Sequence, residues 1–185
     1  MINKNIFLNI ITPCSRPQNL IEISKSINLP EENYRWIVVF DLEELPNKEL
    51  IPDNCETYCH KNSESISGNA QRNYALDMIE NGYVYFNDDD TVIHPELWDN
   101  INYLTEDFIS FRQLDKSGFT KMGGNDIRVG GIDTHQFITH KEIIGDTRWI
   151  HNLHEADGHF AVECYKKSNT KIWLDKYLSI YNLLR

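Results

Sequence analysis

Short runs of apolar and aromatic residues alternate along this chain with segments of helical pattern. The runs are IFLNII at 6–11, WIVVF at 36–40, ETYCH at 56–60 and YVYF at 83–86. Their β-branched and aromatic residues, largely without polar alternation, are typical of strands buried on both faces of a sheet. Residues 17–27 and 68–81 lie between the runs and fit helices. This alternation predicts an α/β fold, in which helices flank a mostly parallel central sheet.

The second half of the chain has a less regular pattern. Residues 108–114 and 134–140 fit two further strands. Residues 155–167 fit a helix, although Gly158 weakens its start. Residues 121–131, KMGGNDIRVGG, are rich in glycine, which predicts tight turns or a mobile segment.

Length and composition limit the number of domains, the cellular location and the partners that we expect for this chain. The 185 residues contain no internal repeat and no linker rich in Gly, Pro or Ser, so we expect one domain over residues 1–185. The N-terminal apolar run of about six residues is too short for a signal peptide or a membrane span. We therefore expect a cytoplasmic protein without a transmembrane segment. A net charge of −10 argues against nucleic acid as the main partner, whereas a metal would still allow a phosphate ligand.

Three adjacent aspartates, Asp88, Asp89 and Asp90, directly follow the apolar run YVYF. Adjacent carboxylates repel one another, so this acidic run predicts a bound cation. Ligands of α/β sheets bind beyond the carboxyl ends of the strands, where these residues are expected to lie. Carboxylate oxygens suit hard divalent cations such as Mg²⁺ and Mn²⁺, to which a diphosphate would add further oxygens. An acidic turn in solvent is the structural alternative.

An aspartyl-phosphate hydrolase is a second alternative for the acidic run. Such enzymes carry a nucleophilic aspartate after a strand, in the pattern DxDx[TV]. The register that fits Thr91 places Asn87 at the nucleophile position, and an amide cannot form the phospho-aspartate intermediate. The register that begins at Asp88 places Val92 where a hydroxyl is preferred. Both registers disfavour this chemistry.

Four segments of the first half occur in an order and spacing that fit successive strand–helix units. They are ITPCSRP at 11–17, WIVVFDLEE at 36–44, GNAQRNYAL at 68–76 and VYFNDDDTV at 84–92. Together they resemble the nucleotide-sugar-binding half of the GT-A fold glycosyltransferases. The resemblance is greatest to the β-1,3-glucuronyltransferase family, whose pattern runs TPTY-x-RP, WIVVED, QRN-x-AL and VYFADDDN. Cys14 and Ser15 stand where that pattern has a Thr-Tyr pair, and Phe40 stands where it has an acid before Asp41.

The resemblance implies a GT-A, Rossmann-like version of the α/β fold. Residues 1–95 would form the nucleotide-sugar-binding half, and residues 96–185 the acceptor and catalytic half. The implied enzyme transfers a hexose or pentose, with inversion, from a nucleotide-diphosphate donor to a carbohydrate or glycan acceptor. We expect the donor to be a UDP-sugar and the cofactor to be Mn²⁺ or Mg²⁺.

The resemblance also implies nucleotide-binding roles at the matching positions. Pro13 and its neighbours, among them Arg16, would contact the uracil and the ribose. Asp41 would accept a hydrogen bond from the pyrimidine imide, and Arg72 would face the phosphates or the base. The structural alternatives are a helix N-cap for Asp41 and a surface ion pair for Arg72.

The same comparison divides the acidic run. Asp88 and Asp89 would hold ribose and sugar hydroxyls, whereas Asp90 would bind the metal, with Asp88 as a second metal ligand. Many such enzymes add a late histidine to the metal site. The candidates in this chain are His135, His140, His151, His154 and His159. Two alternatives stay open, a metal with one strong protein ligand and a further domain beyond residue 185.

Transfer with inversion needs a general base that deprotonates the acceptor hydroxyl. The segment HEADGHF at 154–160 offers Asp157, with Glu155 as its competitor. The structural alternative is that both acids merely favour the start of a helix. On the acceptor side, Asp133 could bind a hydroxyl and Trp149 could stack on a sugar, although tryptophan is more often part of a core.

Two other functions remain as rivals of glycosyl transfer. A nucleotidyltransferase or phosphohydrolase could use the same acidic run. A non-catalytic module that binds a metal or a sugar would need the acidic run but would not need a general base.

Overall fold

The computed structural model describes residues 6–185, which contain eight strands and five α-helices. The strands are β1 (Leu8–Cys14), β2 (Tyr34–Phe40), β3 (Glu56–Cys59), β4 (Tyr83–Phe86), β5 (Phe108–Asp115), β6 (Thr120–Met122), β7 (Phe137–His140) and β8 (Lys171–Tyr181). The helices are α1 (Leu20–Ser26), α2 (Asn69–Leu76), α3 (Leu97–Ile101), α4 (Lys141–Ile144) and α5 (Ala156–Lys167).

The strands form a single mixed sheet in the order β3-β2-β1-β4-β7-β5-β6, and β8 pairs with β5. Strands β1 to β4 are mutually parallel, and the pair of β5 with β8 is parallel as well. The antiparallel pairs are β4 with β7, β5 with β7 and β5 with β6. The predicted α/β fold with a mostly parallel central sheet is therefore confirmed.

Helices cover both faces of the sheet, which explains why its central strands are apolar on both sides. On one face, Leu8 and Ile10 of β1 pack in a cluster with residues of α1 and α3. On the other face, Ile11 of β1 and Phe86 of β4 pack with residues of α2 and α5. All seven residues of β1 are buried, so the absence of polar alternation in its sequence reflects its central position.

Strands β1, β2 and β4 end at the same edge of the sheet. Their parallel registers pair Cys14 with Phe40 and Ile11 with Phe86. The segments that follow these strands therefore emerge side by side. They are the ends of the motifs at 11–17, 36–44 and 84–92. The remaining motif, at 68–76, forms α2, which packs against β1 and β2.

The three elements predicted in the second half are present, one of them with a later start, whereas α3, β6, α4 and β8 are not among the predicted elements. Strand β5 covers the predicted segment 108–114, and α5 begins one residue after Glu155. The strand predicted at 134–140 begins only at Phe137, because a 3₁₀ turn occupies Thr134–Gln136. That turn is fixed by the Asp133 carboxylate, which accepts the N–H of Thr134 at 2.8 Å. Within residues 6–185, none of the helices is long and apolar enough to cross a membrane.

Candidate active site

A cavity of about 450 Å³ opens at the edge of the sheet where β1, β2 and β4 end. Its volume lies in the range of small-molecule sites, roughly 300–1,000 Å³. Pro13, Arg16, Asp41, Arg72 and the acidic run at 88–90 line it, and so does Asp157 from the second half. Of the five candidate histidines, His135 and His154 line the cavity, whereas His140, His151 and His159 do not. The fold brings together all but one of the other predicted catalytic, nucleotide-binding and metal-binding residues. The exception is Glu155, which is exposed, occupies the N-cap position of α5 without a side-chain capping hydrogen bond and is not part of the cavity wall.

Asp89 holds two loops of the site together. Its Oδ2 accepts the backbone N–H groups of Ser15 and Arg16 at 2.6 and 2.7 Å, and the Ser15 hydroxyl at 3.0 Å. Its Oδ1 accepts the guanidinium of Arg16. Asp89 is buried. Both oxygens of the Asp89 carboxylate thus already accept hydrogen bonds from the protein. The predicted contact of Asp89 with ribose and sugar hydroxyls stays a prediction.

Asp88 is neutralised by a buried arginine. Arg72 forms an ion pair with its carboxylate, and the Arg72 side chain is only 3% exposed. Burial would raise the pKa of Asp88, but Arg72 and His135 together outweigh it and hold this pKa well below its usual range. Asp88 is therefore ionised at neutral pH.

Asp90 is the least neutralised carboxylate of the acidic run. It is buried, and its ion-pair partner among the described residues is Arg16, whose Nη1 lies 3.3 Å from Oδ2. Burial and the negative charge of Asp88 raise the pKa of Asp90. A cation at this carboxylate would relieve both effects.

His135 joins Asp88 and Asp90 to form a candidate metal centre. One ligand atom of each of these residues lies within 4.8 Å of the other two. Two carboxylate oxygens and one imidazole nitrogen fit a divalent cation such as Mn²⁺. Nδ1 of His135 also lies 3.8 Å from the Asp133 carboxylate, on the side where metal-bound histidines keep an acid. The residues present therefore fit the cation that the acidic run predicts.

The protonation of His135 is subject to opposing influences. The backbone N–H of Asp88 points at Nε2 at 3.0 Å, a contact that requires the lone pair of a neutral ring. Burial also disfavours the charged ring, yet Asp88 and Asp133 outweigh it and raise the pKa of His135 to about 10. A cation at Asp88 and Asp90 would repel the imidazolium. Metal binding would thus favour the neutral imidazole, which can exchange the Asp88 amide for the metal.

Asp157 faces the same cavity from the start of α5. Its Oδ1 accepts the N–H of Gly158 at 2.7 Å. Burial and the negative charge of Asp133 raise the pKa of Asp157 to about 6. A carboxylate with this pKa is basic enough to accept a proton and still ionised at pH 7. Gly158 is required because a side chain there would come within 2.8 Å of the Val129 backbone.

Asp41 and Pro13 lie at the β2 side of the cavity. Oδ1 of Asp41 accepts the N–H of Asn62 at 3.2 Å and the Gln71 amide at 3.1 Å. Pro13 touches the start of α2, where Gly68 has a φ of +77° and an added Cβ would lie 2.5 Å from Pro13. A left-handed glycine is therefore needed for the close approach of these two motifs.

Arg72 is directed towards protein groups. Nη1 donates to the carbonyl of Ser67 at 2.6 Å, and the guanidinium lies 4.4 Å from the centre of the Trp149 ring. Trp149 is 2% exposed and stacks on Phe160 in the core. The surroundings of Arg72 indicate that it positions Asp88, while a contact with the nucleotide stays a prediction.

We expect Arg72→Met to lower the free energy of unfolding by about 3–5 kcal/mol, because it leaves the Asp88 carboxylate without its buried partner. Urea denaturation would measure the loss. The control is Arg35→Met, which breaks the more exposed pair with Glu56 and should cost less than about 1 kcal/mol. Equal losses in the two variants would show that the pair with Asp88 has no special weight.

Comparisons with known proteins support the fold assignment. No protein-family model and no curated protein matches the sequence. Among solved structures, residues 1–349 of Staphylococcus aureus TarS match with a TM-score of 0.77 and 17% identity, over 95% of this chain and 60% of that one. The same TarS fragment in complex with UDP-GlcNAc matches with a TM-score of 0.72, 17% identity and coverages of 94% and 57%.

A second glycosyltransferase gives a similar match. The mannosyltransferase PcManGT from Pyrobaculum calidifontis, in complex with GDP-Man and Mn²⁺, matches with a TM-score of 0.70 and 15% identity, over 96% of this chain and 57% of that one. The chain thus spans about 60% of the length of these neighbours. These proteins are GT-A glycosyltransferases, and the likeness shows that this chain has the predicted GT-A fold.

Proposed function

We propose that this chain is a metal-dependent, inverting glycosyltransferase that moves a sugar from a UDP-linked donor to a carbohydrate acceptor. The observation that carries the proposal is the presence of two complementary groups in one cavity. A cluster of Asp88, Asp90 and His135 suits a cation, and Asp157 with its raised pKa suits a general base. The fold is one in which neighbours bind UDP-GlcNAc or GDP-Man.

Asp41 supports uracil over guanine as the donor base. Its Oδ1 already accepts the Asn62 N–H and the Gln71 amide, which leaves Oδ2 as the freer acceptor. Uracil presents one imide N–H, which a single oxygen can accept. Guanine presents two adjacent N–H groups that match both oxygens of a free carboxylate. The occupied Oδ1 therefore favours UDP.

Asp88, Asp90 and His135 would hold Mn²⁺ or Mg²⁺, of which Mn²⁺ better tolerates a nitrogen ligand. The bound cation would supply Lewis-acid stabilisation of the departing nucleoside diphosphate. Arg72 keeps Asp88 ionised for this role, and Asp89 keeps the loop of the acidic run against residues 15–16.

Asp157 would accept the proton of the acceptor hydroxyl while the acceptor oxygen bonds to the anomeric carbon. In the same step, the bond from that carbon to the diphosphate oxygen breaks, and its electron pair leaves with the diphosphate. A single displacement of this kind inverts the anomeric configuration. Because Asp157 belongs to the second half, residues 1–95 would mainly bind the donor, and residues 96–185 would supply the acceptor side and the base.

The rival functions make different demands on the cavity. A nucleotidyltransferase or phosphohydrolase would act on the phosphorus and has no need of Asp157 as a base towards a sugar acceptor. A non-catalytic module would not require a carboxyl group at Asp157 in the cavity that holds the cation cluster. The position of Asp157 therefore favours glycosyl transfer.

The proposal is tested with a panel of UDP- and GDP-sugars, with and without MnCl₂, in thermal unfolding. We expect UDP compounds to stabilise the protein only with Mn²⁺, by about 2.7 kcal/mol at a hundredfold excess over Kd. The stabilising UDP-sugar is then incubated with an oligosaccharide library, and products are detected by mass spectrometry. Release of sugar phosphate without a glycosylated product would favour the phosphohydrolase, and a lack of stabilisation by every nucleotide would contradict the proposal.

A further inference from the structure

Arg16 occupies a special position in the candidate active site because it contacts two members of the acidic run. Its Nη1 donates to Oδ1 of Asp89 and lies 3.3 Å from Oδ2 of Asp90. The side chain is 30% exposed and forms part of the cavity wall. In this arrangement a protein cation stands beside the carboxylate that is predicted to bind the metal.

The contact of the guanidinium with Asp89 is not essential for the fold. Asp89 keeps three other donors, namely the backbone N–H groups of Ser15 and Arg16 and the Ser15 hydroxyl. These bonds join the two loops whether or not the Arg16 side chain is present. The guanidinium is therefore free to serve the ligand site.

The remaining donors of Arg16 are available to an anion. A guanidinium carries five N–H donors, and the contacts with Asp89 and Asp90 use only those of Nη1. Nε and Nη2 make no hydrogen bond among the described residues and are not among the buried unpaired atoms of that part of the chain. Their N–H groups form the edge with which arginine binds phosphate bidentately.

We propose that Arg16 couples metal binding to diphosphate binding. This inference rests on the proposed function, since it requires both ligands. Without ligands, Arg16 is the counterion of Asp90 and opposes the entry of a divalent cation by charge repulsion. When the metal arrives with the nucleotide, Arg16 releases Asp90, stays on Asp89 and turns its free edge to the diphosphate. Each ligand thereby strengthens the binding of the other, and the two effects are equal by linkage.

The coupling predicts changes of opposite sign in Arg16→Gln. We expect Mn²⁺ alone to bind about tenfold more tightly, because a positive charge beside Asp90 is removed. We expect UDP in saturating Mn²⁺ to bind at least about tenfold more weakly, because a charged phosphate ligand is lost. Mn²⁺ binding is measured from the electron paramagnetic resonance signal of the free ion, and UDP binding by calorimetry. A variant that merely folds poorly would lose affinity for both.

Two matched variants complete the experiment. Arg16→Lys keeps the positive charge and should keep the weak binding of Mn²⁺ alone. Arg35→Gln makes the same charge change near the start of β2, at the opposite edge of the sheet, and should alter neither affinity. Weaker or unchanged Mn²⁺ binding by Arg16→Gln, or unchanged UDP binding, would overturn the coupling. If the wild-type protein binds neither Mn²⁺ nor UDP, the proposed function fails, and the coupling fails with it.

Discussion

Asp157→Asn is expected to reduce the kcat/KM of sugar transfer by about 10³, in the middle of the range for a lost general base. The amide is nearly isosteric with the carboxyl but cannot accept the proton of the acceptor hydroxyl. Because Asp157 belongs to the half of the chain that is proposed to bind the acceptor, we expect UDP to bind the variant in Mn²⁺ as it binds the wild type. Initial rates and calorimetry measure the two quantities separately.

Glu155→Gln is the matched control for this experiment. It makes the same charge change two residues earlier, at an exposed N-cap outside the cavity wall. If Glu155 were the base instead, the two variants would exchange their effects. Equal activity of Asp157→Asn and the wild type would remove Asp157 from the mechanism.

The pH dependence of transfer is an independent test of whether Asp157 acts as the general base. Burial and Asp133 disfavour the charged form of Asp157 and raise its pKa to about 6. Transfer requires the ionised form, so kcat/KM should fall about tenfold per pH unit below this pKa and level off above it. A bound divalent cation would lower the pKa and move this limb to lower pH. Asp157→Asn should lose this acid limb.

The second large effect concerns neighbouring members of the acidic run. Asp90→Asn is expected to abolish Mn²⁺ binding in the micromolar to millimolar range, because it removes the least neutralised carboxylate of the cluster. Its free energy of unfolding should stay equal to that of the wild type or rise, since the neutral amide would no longer repel Asp88. Calorimetry with MnCl₂ and urea denaturation measure the two properties.

Asp89→Ala should show the opposite pattern. It leaves the part-buried N–H groups of Ser15 and Arg16 without an acceptor, which should cost about 2–6 kcal/mol of stability at about 1–3 kcal/mol for each of the two donors. Asp88, Asp90 and His135 remain, so the folded fraction should still bind Mn²⁺. Similar behaviour of the two variants would contradict the division of roles within the run.

The sequence of the first half predicts that the site lies at the edge of the sheet where β1, β2 and β4 end. It does not predict the separate roles of the three aspartates. Parallel strands must end together, so the motifs after β1, β2 and β4 could be placed at one site from their order alone. Three consecutive aspartates look equivalent in a sequence, whereas Asp89 differs from its neighbours because backbone N–H groups 73 and 74 positions away point at it. Loop conformation decides this, and no local pattern encodes it.

The direction of Arg72 and the selection of His135 depend on tertiary structure in a similar way. The family resemblance implies that Arg72 faces a ligand, but only the fold shows Trp149 beneath its guanidinium and Asp88 beside it. The sequence offers five late histidines without a reason to prefer one. His135 is distinguished by the antiparallel pairing of β4 with β7, which aligns Tyr85 with Ile138. Continued past the end of β4, that register brings Asp88 opposite His135.

The same pairing has a consequence for the chain lengths that this site tolerates. Side chains alternate between the two faces of a sheet, so a shift of one residue in β4 or β7 would turn each following side chain to the other face. One residue inserted between His135 and Phe137 would separate the imidazole from Asp88 even if every residue of the cluster were kept. Residues 116–119, by contrast, form the exposed turn between β5 and β6 and can change in number without moving the site. Relatives that keep Asp88, Asp90 and His135 should therefore vary in the number of residues at that turn. They should keep the same number of residues in β4 and between His135 and Phe137.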